Sequence, residues 1–276
     1  MPNWCTNRLT VLEKKEDGAL QEFLDAITCT ADNHAKYREQ HGAEIENPPE
    51  YDLTLLYPIP LVLKGTSSPP LTVEDVEEKR RRRDAGEFRA HDGFDGETQN
   101  GSWVTDAYLQ EQMDSIARTA RAKEETGYSD WYGWSVDNWS TKWAPDVHTV
   151  SSAIDADGSN VAVISYQTAW CPAENLVSKI ADQYPTLAFV ETYMEEGMGF
   201  YGSSTHLDGE IRSAVYSESD PILDALNEKL GEDFTGKAEA EEEVWERVIS
   251  RWDDLFNEAE SKALAVVQTL IDIENT

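Results

Sequence analysis

The spacing of apolar positions changes several times along the chain, and each change marks an element. Leu9, Val11 and Leu12, with Thr10 between them, close a strand predicted over residues 3–12. Leu20, Phe23, Leu24 and Ile27 then recur at steps of three and four, the period of a helix with one buried face. Glu16-Asp17-Gly18 opens that helix, with Asp17 as the N-cap candidate. Residues 31–50 are polar and end in Asn47-Pro48-Pro49, a loop. The stretch 51–57 alternates well enough for a short strand, terminated by Pro58 and Pro60. Thr72-Val73-Glu74-Asp75 has the form of a capping box. In the helix it opens, Asp75, Glu77 and Glu78 each stand four residues before a base, at Lys79, Arg81 and Arg82, the favourable order on a helix. Residues 84–102 read as a loop. A second helix follows over 107–125, with Leu109, Met113, Ile116 and Ala120 on one side.

From residue 128 the texture changes. YSDWYGWSVDNWSTKW places Trp131, Trp134, Trp139 and Trp143 in a short space. A strong strand follows at 160–168, and Trp170-Cys171-Pro172 opens a helix with Pro172 at its first position, where a missing N–H costs nothing. Leu176, Val177, Ile180 and Tyr184 form its stripe, and Pro185 stops it. Residues 187–194 and 199–206 read as a hairpin about Glu196-Gly197, and Asp208-Gly209 turns the chain into a strand at 210–216. Asp220-Pro221 opens a helix that Gly231 ends. Residues 238–272 form one long amphipathic helix of about 50 Å, whose apolar face includes Trp245, Val248, Trp252 and Leu255 as a partner-helix surface.

The order strand, helix, strand, strand, helix, strand predicts an α+β fold with a ferredoxin-like split βαβ sheet. A large insertion follows the first helix, and extra helices follow the sheet. The core is assigned to 1–30 plus 128–218, the insertion to 31–127 with a loop at 84–102, and the helical extension to 219–276. The helices of such a core lie on one face of the sheet, so the other face must be covered or used.

Composition adds a strong field. With 54 acidic and 23 basic residues the net charge is −31, which repels phosphates and anionic membranes and attracts basic partners. Three readings of that field compete: plain solvation, adaptation to high salt, and mimicry of DNA by ordered carboxylates. The 39% hydrophobic content, with 9 Trp, 11 Tyr and 7 Phe, supports a real core rather than a disordered chain. Cys5, Cys29 and Cys171 are too few and too scattered for a disulfide framework. MPNWCTNRLTV lacks the basic-then-apolar pattern of a signal peptide, and no apolar run is long enough to span a bilayer, so the cytoplasm is the expected location.

Catalytic signatures are missing. His34, His41, His91, His148 and His206 have no metal-ligand spacing, and Asp92-Gly93-Phe94-Asp95-Gly96-Glu97 does not follow EF-hand ligand order. There is no GxSxG elbow, no Walker sequence and no GxGxxG. Cys171 before Pro172 sits where a helix N-terminus can lower a thiol pKa, with His148 or His206 as a partner, against the plainer reading of a small buried cysteine. No catalytic residue, metal or cofactor is assigned. The basic cluster 79–83 reads as a salt-bridged helix face, and direct nucleic-acid binding is not expected. The tryptophan cluster has two readings: a pocket with Asn138, Thr141 and Lys142 at its mouth, or an ordinary core sealing the open sheet face.

Five segments together resemble one family: MPNWCTNRLTV at the start, YPIP at 57–60, YGWSVDNWSTKW at 132–143, QTAWCP at 167–172 and ETYMEEGMGFYG at 191–202. They look like the YubB-type ferredoxin-like family of uncharacterised bacteriophage and plasmid proteins, whose usual forms are close to MPNWCxNxLxV, YGWxxxNWGTKWD, FxTAWxPP and YxExGxxFxG. Ser140 stands where that pattern has Gly, Ala144-Pro145 where it has Asp, and Cys171-Pro172 where it has a Pro pair. The resemblance implies a ferredoxin-like fold and a mobile-element origin, and no activity. It points to Trp4, Asn7, Trp134, Asn138, Trp139, Thr141, Lys142, Trp143, Trp170, Tyr193, Glu195 and Phe200 as candidate binding residues, and to Pro172, Gly199 and Gly202 beside them.

The expectation is therefore a non-enzymatic, acidic interaction protein that binds a host protein, one with a basic or DNA-binding surface, inside the cell. Two alternatives stand beside it: a nucleotide- or nucleic-acid-binding module on a tryptophan-rich sheet face, and a helper protein that dimerises through 238–272.

Overall fold

Strand β1, Trp4–Glu13, occupies the middle of an antiparallel sheet with β3 on one side and β4 on the other. The remaining strands are β2 (Asp146–Ile154), β3 (Asn160–Ala169), β4 (Leu187–Glu195), β5 (Phe200–Leu207) and β6 (Glu210–Ser217). The six-stranded order is β2-β3-β1-β4-β5-β6. The first four strands in that order, with helix α1 (Ala19–Ile27) after β1 and a helix between β3 and β4, are a ferredoxin-like split βαβ core. The computed structural model describes residues 3–13, 18–30, 48–90, 96–154, 160–195, 197–198, 200–207 and 210–217. It also describes Ala35, Tyr37 and Arg38, and Asp254, Asn257, Glu260, Ser261, Ala263, Leu264, Ala265 and Val267.

The register assigns the two faces. Cys5, Asn7, Leu9 and Val11 share one face with Ile164, Tyr166, Phe189, Glu191, Tyr193, Ser204 and His206, because these residues sit opposite one another across the ladders. Phe23 of α1 packs edge-on to Phe189 and to Tyr184, with centroids 5.6 and 5.5 Å apart, so the helices cover this face. Leu12, Ala188, Val190 and Leu207 belong to the opposite face. They pack with Ala263 and Val267, two positions of a C-terminal segment that is helical wherever it is described. Glu260 of the same segment meets Arg8 at 2.5 Å and accepts from the Thr10 hydroxyl at 3.1 Å. Residues of the C-terminal segment thus cover the face left open by the core helices at Leu12, Ala188, Val190 and Leu207.

Several sequence expectations need correction. Residues 51–57 are not a strand: Tyr51 makes one isolated bridge to Thr28, and Leu53–Leu55 is a 3₁₀ turn capped by the Asp52 carboxylate, which accepts from Thr54 N–H. The strand that completes the core is β2, whose sequence DVHTVSSAI is too polar to alternate. Trp131, Trp134 and Trp139 of the tryptophan-rich segment lie on a helix and not on a sheet face. The helix after β3 starts at Glu174 rather than at Pro172. Gly18, at φ +84°, is the N-cap of α1, and Asp17 lies outside the described residues, as do the 208–209 turn and the predicted helix after Pro221.

The chain divides into two units, residues 1–58 with 138–276, and residues 59–137. In the second, helix α2 (Val73–Asp84) begins with the predicted capping box: Thr72 Oγ1 accepts from Asp75 N–H, and Asp75 answers to Thr72 N–H. Helix α3 (Asp106–Thr126) follows, N-capped by Thr105. Val76, Val104 and Leu109 form a small core between them. Along α2, Lys79 acts on Asp75 and Glu78 on Arg82 as their spacing suggested, and the bases reach further partners as well. Arg83 reaches Asp106 at 2.6 Å and Asp84 at 2.9 Å, Arg82 reaches Glu87 at 2.6 Å, and Lys79 donates to Gln112 at 3.2 Å. Helix α4 (Trp131–Trp139) comes next, and α5 (Glu174–Ala181) belongs to the sheet unit. Among the described residues no helix is long and apolar enough to cross a membrane.

Candidate functional site

Trp4 begins β1 and stands opposite Ala169, the last residue of β3. Trp170 N–H extends that ladder by donating to the Asn3 carbonyl at 3.0 Å. Trp143 lies beside Trp4, with centroids 6.3 Å apart, and the Lys142 ammonium sits 4.5 Å from the Trp143 ring centroid. Trp4, Trp143 and Trp170 are 46%, 40% and 44% exposed, so one end of the β1–β3 pair offers three indoles to solvent. Trp4 and Trp143 are in ring contact there, and Trp170 is exposed on the neighbouring backbone. Tyr132 and Val136, four residues apart on one helix, are a second exposed apolar pair.

Backbone strain holds this end in shape. Trp170 has φ +74° and Ser140 has φ +62°, the left-handed region, which costs a residue with a Cβ about 1–2 kcal/mol. The two loops are tied together. The Cys171 thiol donates to the Ser140 carbonyl at 2.7 Å, and the Ser140 hydroxyl accepts from Asn175 N–H at 3.1 Å. Thr141 Oγ1 donates to the Ala169 carbonyl at 3.2 Å. At the positive φ of Ser140 a glycine would carry no Cβ penalty.

Beneath these loops lies a buried polar centre that sequence reasoning missed. Glu191, fully buried on β4, accepts from the Tyr166 hydroxyl and, at 3.1 Å, from Ala173 N–H at the start of α5. Its second oxygen accepts from Ser204 Oγ at 3.4 Å, and Ser204 Oγ lies 3.3 Å from His206 Nε2. Burial raises the Glu191 carboxyl to about 7, against the opposing pull of its three donors. Burial also pushes the Tyr166 hydroxyl up and the His206 imidazole down. The signal was available: LAFVETYME carries one acid in the middle of an apolar strand. The Cys171 thiol is pushed up, first by burial and then by the Glu191 charge, so the thiol does not have the lowered pKa that a reactive nucleophile at a helix N-terminus requires.

The predicted site residues divide into two groups. Trp4, Lys142 and Trp143 meet at the exposed end, where Trp170 is exposed as well. The others hold the fold. Asn7 is buried, and its amide donates to the Cys5 carbonyl at 2.9 Å and to Thr168 Oγ1 at 2.9 Å. Trp139 is buried and donates from Nε1 to the Tyr57 carbonyl at 2.9 Å, while Asn138 accepts from the Tyr57 hydroxyl at 3.4 Å. This explains YPIP as the anchor of α4. Trp134 and Tyr193 are buried, and Tyr193 packs edge-on to the half-buried Phe200 at 6.2 Å. Buried Glu195 accepts from Gly197 N–H at 2.9 Å and Met198 N–H at 2.6 Å, shaping the turn after β4. A Cβ at Gly197 would come within 2.4 Å of Asn3 Nδ2, so a side chain there would oblige Asn3 to move. Trp245, Val248, Trp252 and Leu255 lie outside the described residues.

Residues 138–235 match the family model described as the ferredoxin-like domain in Api92-like protein. The matched segment includes β2 to β6 and agrees with the strand order of the core. A crystal structure of protein api92 from Yersinia pseudotuberculosis is similar to the chain at 11% sequence identity and a TM-score of 0.38, covering 80% of this chain and 100% of that one. The comparison with curated proteins yields no match.

Proposed function

We propose that this chain is a non-enzymatic interaction protein of a bacteriophage or similar mobile element, of the YubB type, which binds a host protein inside the cell through the tryptophan end of its sheet. The observation that carries this reading is Trp170, a bulky side chain held at φ +74° and left 44% exposed. Folding gains little from placing a strained indole in water, and strain of this kind collects at binding and switch sites. The −31 charge supports a basic partner, drawn in by long-range attraction before the indoles make contact. A partner that normally holds DNA fits that description.

The test is retention of host proteins on the immobilised chain, compared with a Trp4→Ala/Trp170→Ala variant of unchanged circular dichroism. A protein retained by the first, lost from the second, released by raised salt and bound again as a purified pair supports the reading. Absence of any retained protein that depends on the two indoles overturns it. Competition of that purified partner between this chain and duplex DNA then decides whether the acids act as a phosphate mimic.

A second reading rests on Lys142, whose ammonium over Trp143 could meet a phosphate while the indoles stack on bases. It makes the patch a nucleotide or single-strand site, and it predicts that Lys142→Ala weakens binding.

A further inference from the structure

Apart from the tryptophan end, we propose that the opposite end of β1 carries a second binding site, which takes a primary ammonium on a short aliphatic stem and seats it on the Glu13 carboxylate. Glu13 ends β1 and follows Val11 on the helix-covered face. Asn160 opens β3 on the same face, and Ser152 of the edge strand β2 stands there opposite Ala162. A cleft of about 300 Å³ is lined by these three residues from the sheet and by Leu20, Gln21 and Leu24 of α1. That volume is at the lower end of those that hold small ligands. Gly18 also borders the cleft, and a Cβ added there would meet nothing within 4 Å.

The carboxylate is positioned but not neutralised. Glu13 is 7% exposed; its Oε1 accepts from Leu20 N–H at 3.2 Å and its Oε2 from Asn160 Nδ2 at 2.6 Å. Both donors are neutral, and among the described residues no base forms an ion pair with it. Capping the first turn of α1 occupies one oxygen, a task a neutral side chain performs as well. A buried charge served only by neutral donors is costly, and a cation entering the cleft offsets that cost. Each oxygen keeps an acceptor site for it.

The walls select the class of cation. An anion, the usual guest of a helix N-terminus, finds Glu13 already in that place and a net charge of −31 against it. Leu20 and Leu24 offer apolar surface to an aliphatic stem. Gln21 donates its amide N–H to Asp25 at 2.8 Å, which leaves its amide oxygen as an acceptor. With Glu13 and Ser152 that oxygen matches the three donors of an ammonium.

The experiment follows backbone amide resonances of the full chain at fixed ionic strength during titration with butylamine, 1-butanol and Nα-acetyl-lysine methylamide. Butylamine is expected to give saturable shifts at the Leu20 and Ser152 amides, in the millimolar range that so small a ligand allows. The alcohol has the same stem without the charge and should bind about tenfold more weakly. Glu13→Gln should weaken butylamine by about the same factor, the size of one charge-assisted hydrogen bond. Ser152→Phe, at an exposed edge-strand position, fills the cleft and should abolish the Leu20 shift without lowering the melting temperature. It decides the case if Glu13→Gln does not fold. Lysine derivative binding as tight as butylamine supports the site and makes a partner's lysine its source; weaker binding supports it with a free small amine. Absence of saturable shifts at Leu20 and Ser152, equal binding of the alcohol, or butylamine binding unchanged in a folded variant overturns the proposal.

Discussion

The Cys171 thiol donates to the carbonyl oxygen of Ser140 at 2.7 Å, joining two loops whose backbones both enter the left-handed region. One loop leads to Trp143, and the other carries Trp170. Ser140 Oγ completes the tie through Asn175 N–H. The exposed indoles therefore stand on strained but cross-linked backbone, anchored below by the Glu191 carboxylate on Ala173 N–H.

Ser140 separates the strain from the hydrogen bond. Ser140→Gly relieves a positive φ but loses the Oγ acceptor, and the two effects nearly cancel, leaving stability within about 0.5 kcal/mol. Ser140→Ala keeps the strain and loses the acceptor, a cost of about 1 kcal/mol. Ser140→Val adds a branched side chain at φ +62° and costs about 2 kcal/mol. Urea unfolding midpoints should fall in the order Gly, Ala, Val.

Glu191 sets a pH dependence of definite sign. Burial holds its carboxyl at about 7, above the roughly 4.3 of an unfolded chain. The native state therefore binds the extra proton between those values. The stability this contributes is complete below the unfolded pKa and is lost as pH rises through about 7. Tyr166, Cys5, Cys171, Tyr193 and Glu174 face the carboxyl as titrating or charged neighbours. His206, joined through Ser204, is lowered by burial, so its own contribution is lost as pH falls and has the opposite sign. The difference between wild type and Glu191→Gln removes the His206 part. Measured by urea unfolding at pH 5 and pH 8, wild type should lose on the order of 1–3 kcal/mol relative to the variant on going to the higher pH.

Exposed and buried tryptophans should respond in opposite ways. Trp139→Ala removes a buried side chain and its bond to the Tyr57 carbonyl, and is expected to cost about 3–5 kcal/mol. Trp170→Gly gives up an exposed indole and gains a residue suited to φ +74°, so stability should stay within about 0.5 kcal/mol. Partner binding should nevertheless be weakened in Trp170→Gly. Thermal melting and fluorescence titration on the same samples check the pair.

The C-terminal segment should behave as part of the core. Val267 is buried against the strand face of Leu12 and Val190, and Val267→Ala should cost about 1–2 kcal/mol. Arg8 and Glu260 are only partly buried, so a double-mutant cycle on them should return about 0.5–1 kcal/mol, falling at high salt.

Much of the fold was legible where neighbouring residues decide the outcome. β1, α1, β3, β4 and the capping box at Thr72 follow from apolar spacing and local hydrogen bonding, and the structure has them. β2 was not legible, because an edge strand paired on one side has little apolar pattern to display. The site was half legible. Of the residues the motifs named, most, such as Asn7, Trp139 and Glu195, are buried and bonded within the fold. Only burial divides them from Trp4, Trp143 and Trp170.

By itself, the amino-acid order determined the ferredoxin-like strands and helices other than β2, a strong negative field and the clustering of tryptophan, since each depends on composition or on residues a few positions apart. Tertiary structure alone decided which indoles meet solvent, that Glu191 is buried among Tyr166, Ser204 and Ala173, and that residues near 260 close the second sheet face. Those outcomes rest on contacts between residues as much as 252 positions apart, whose energies no local pattern carries.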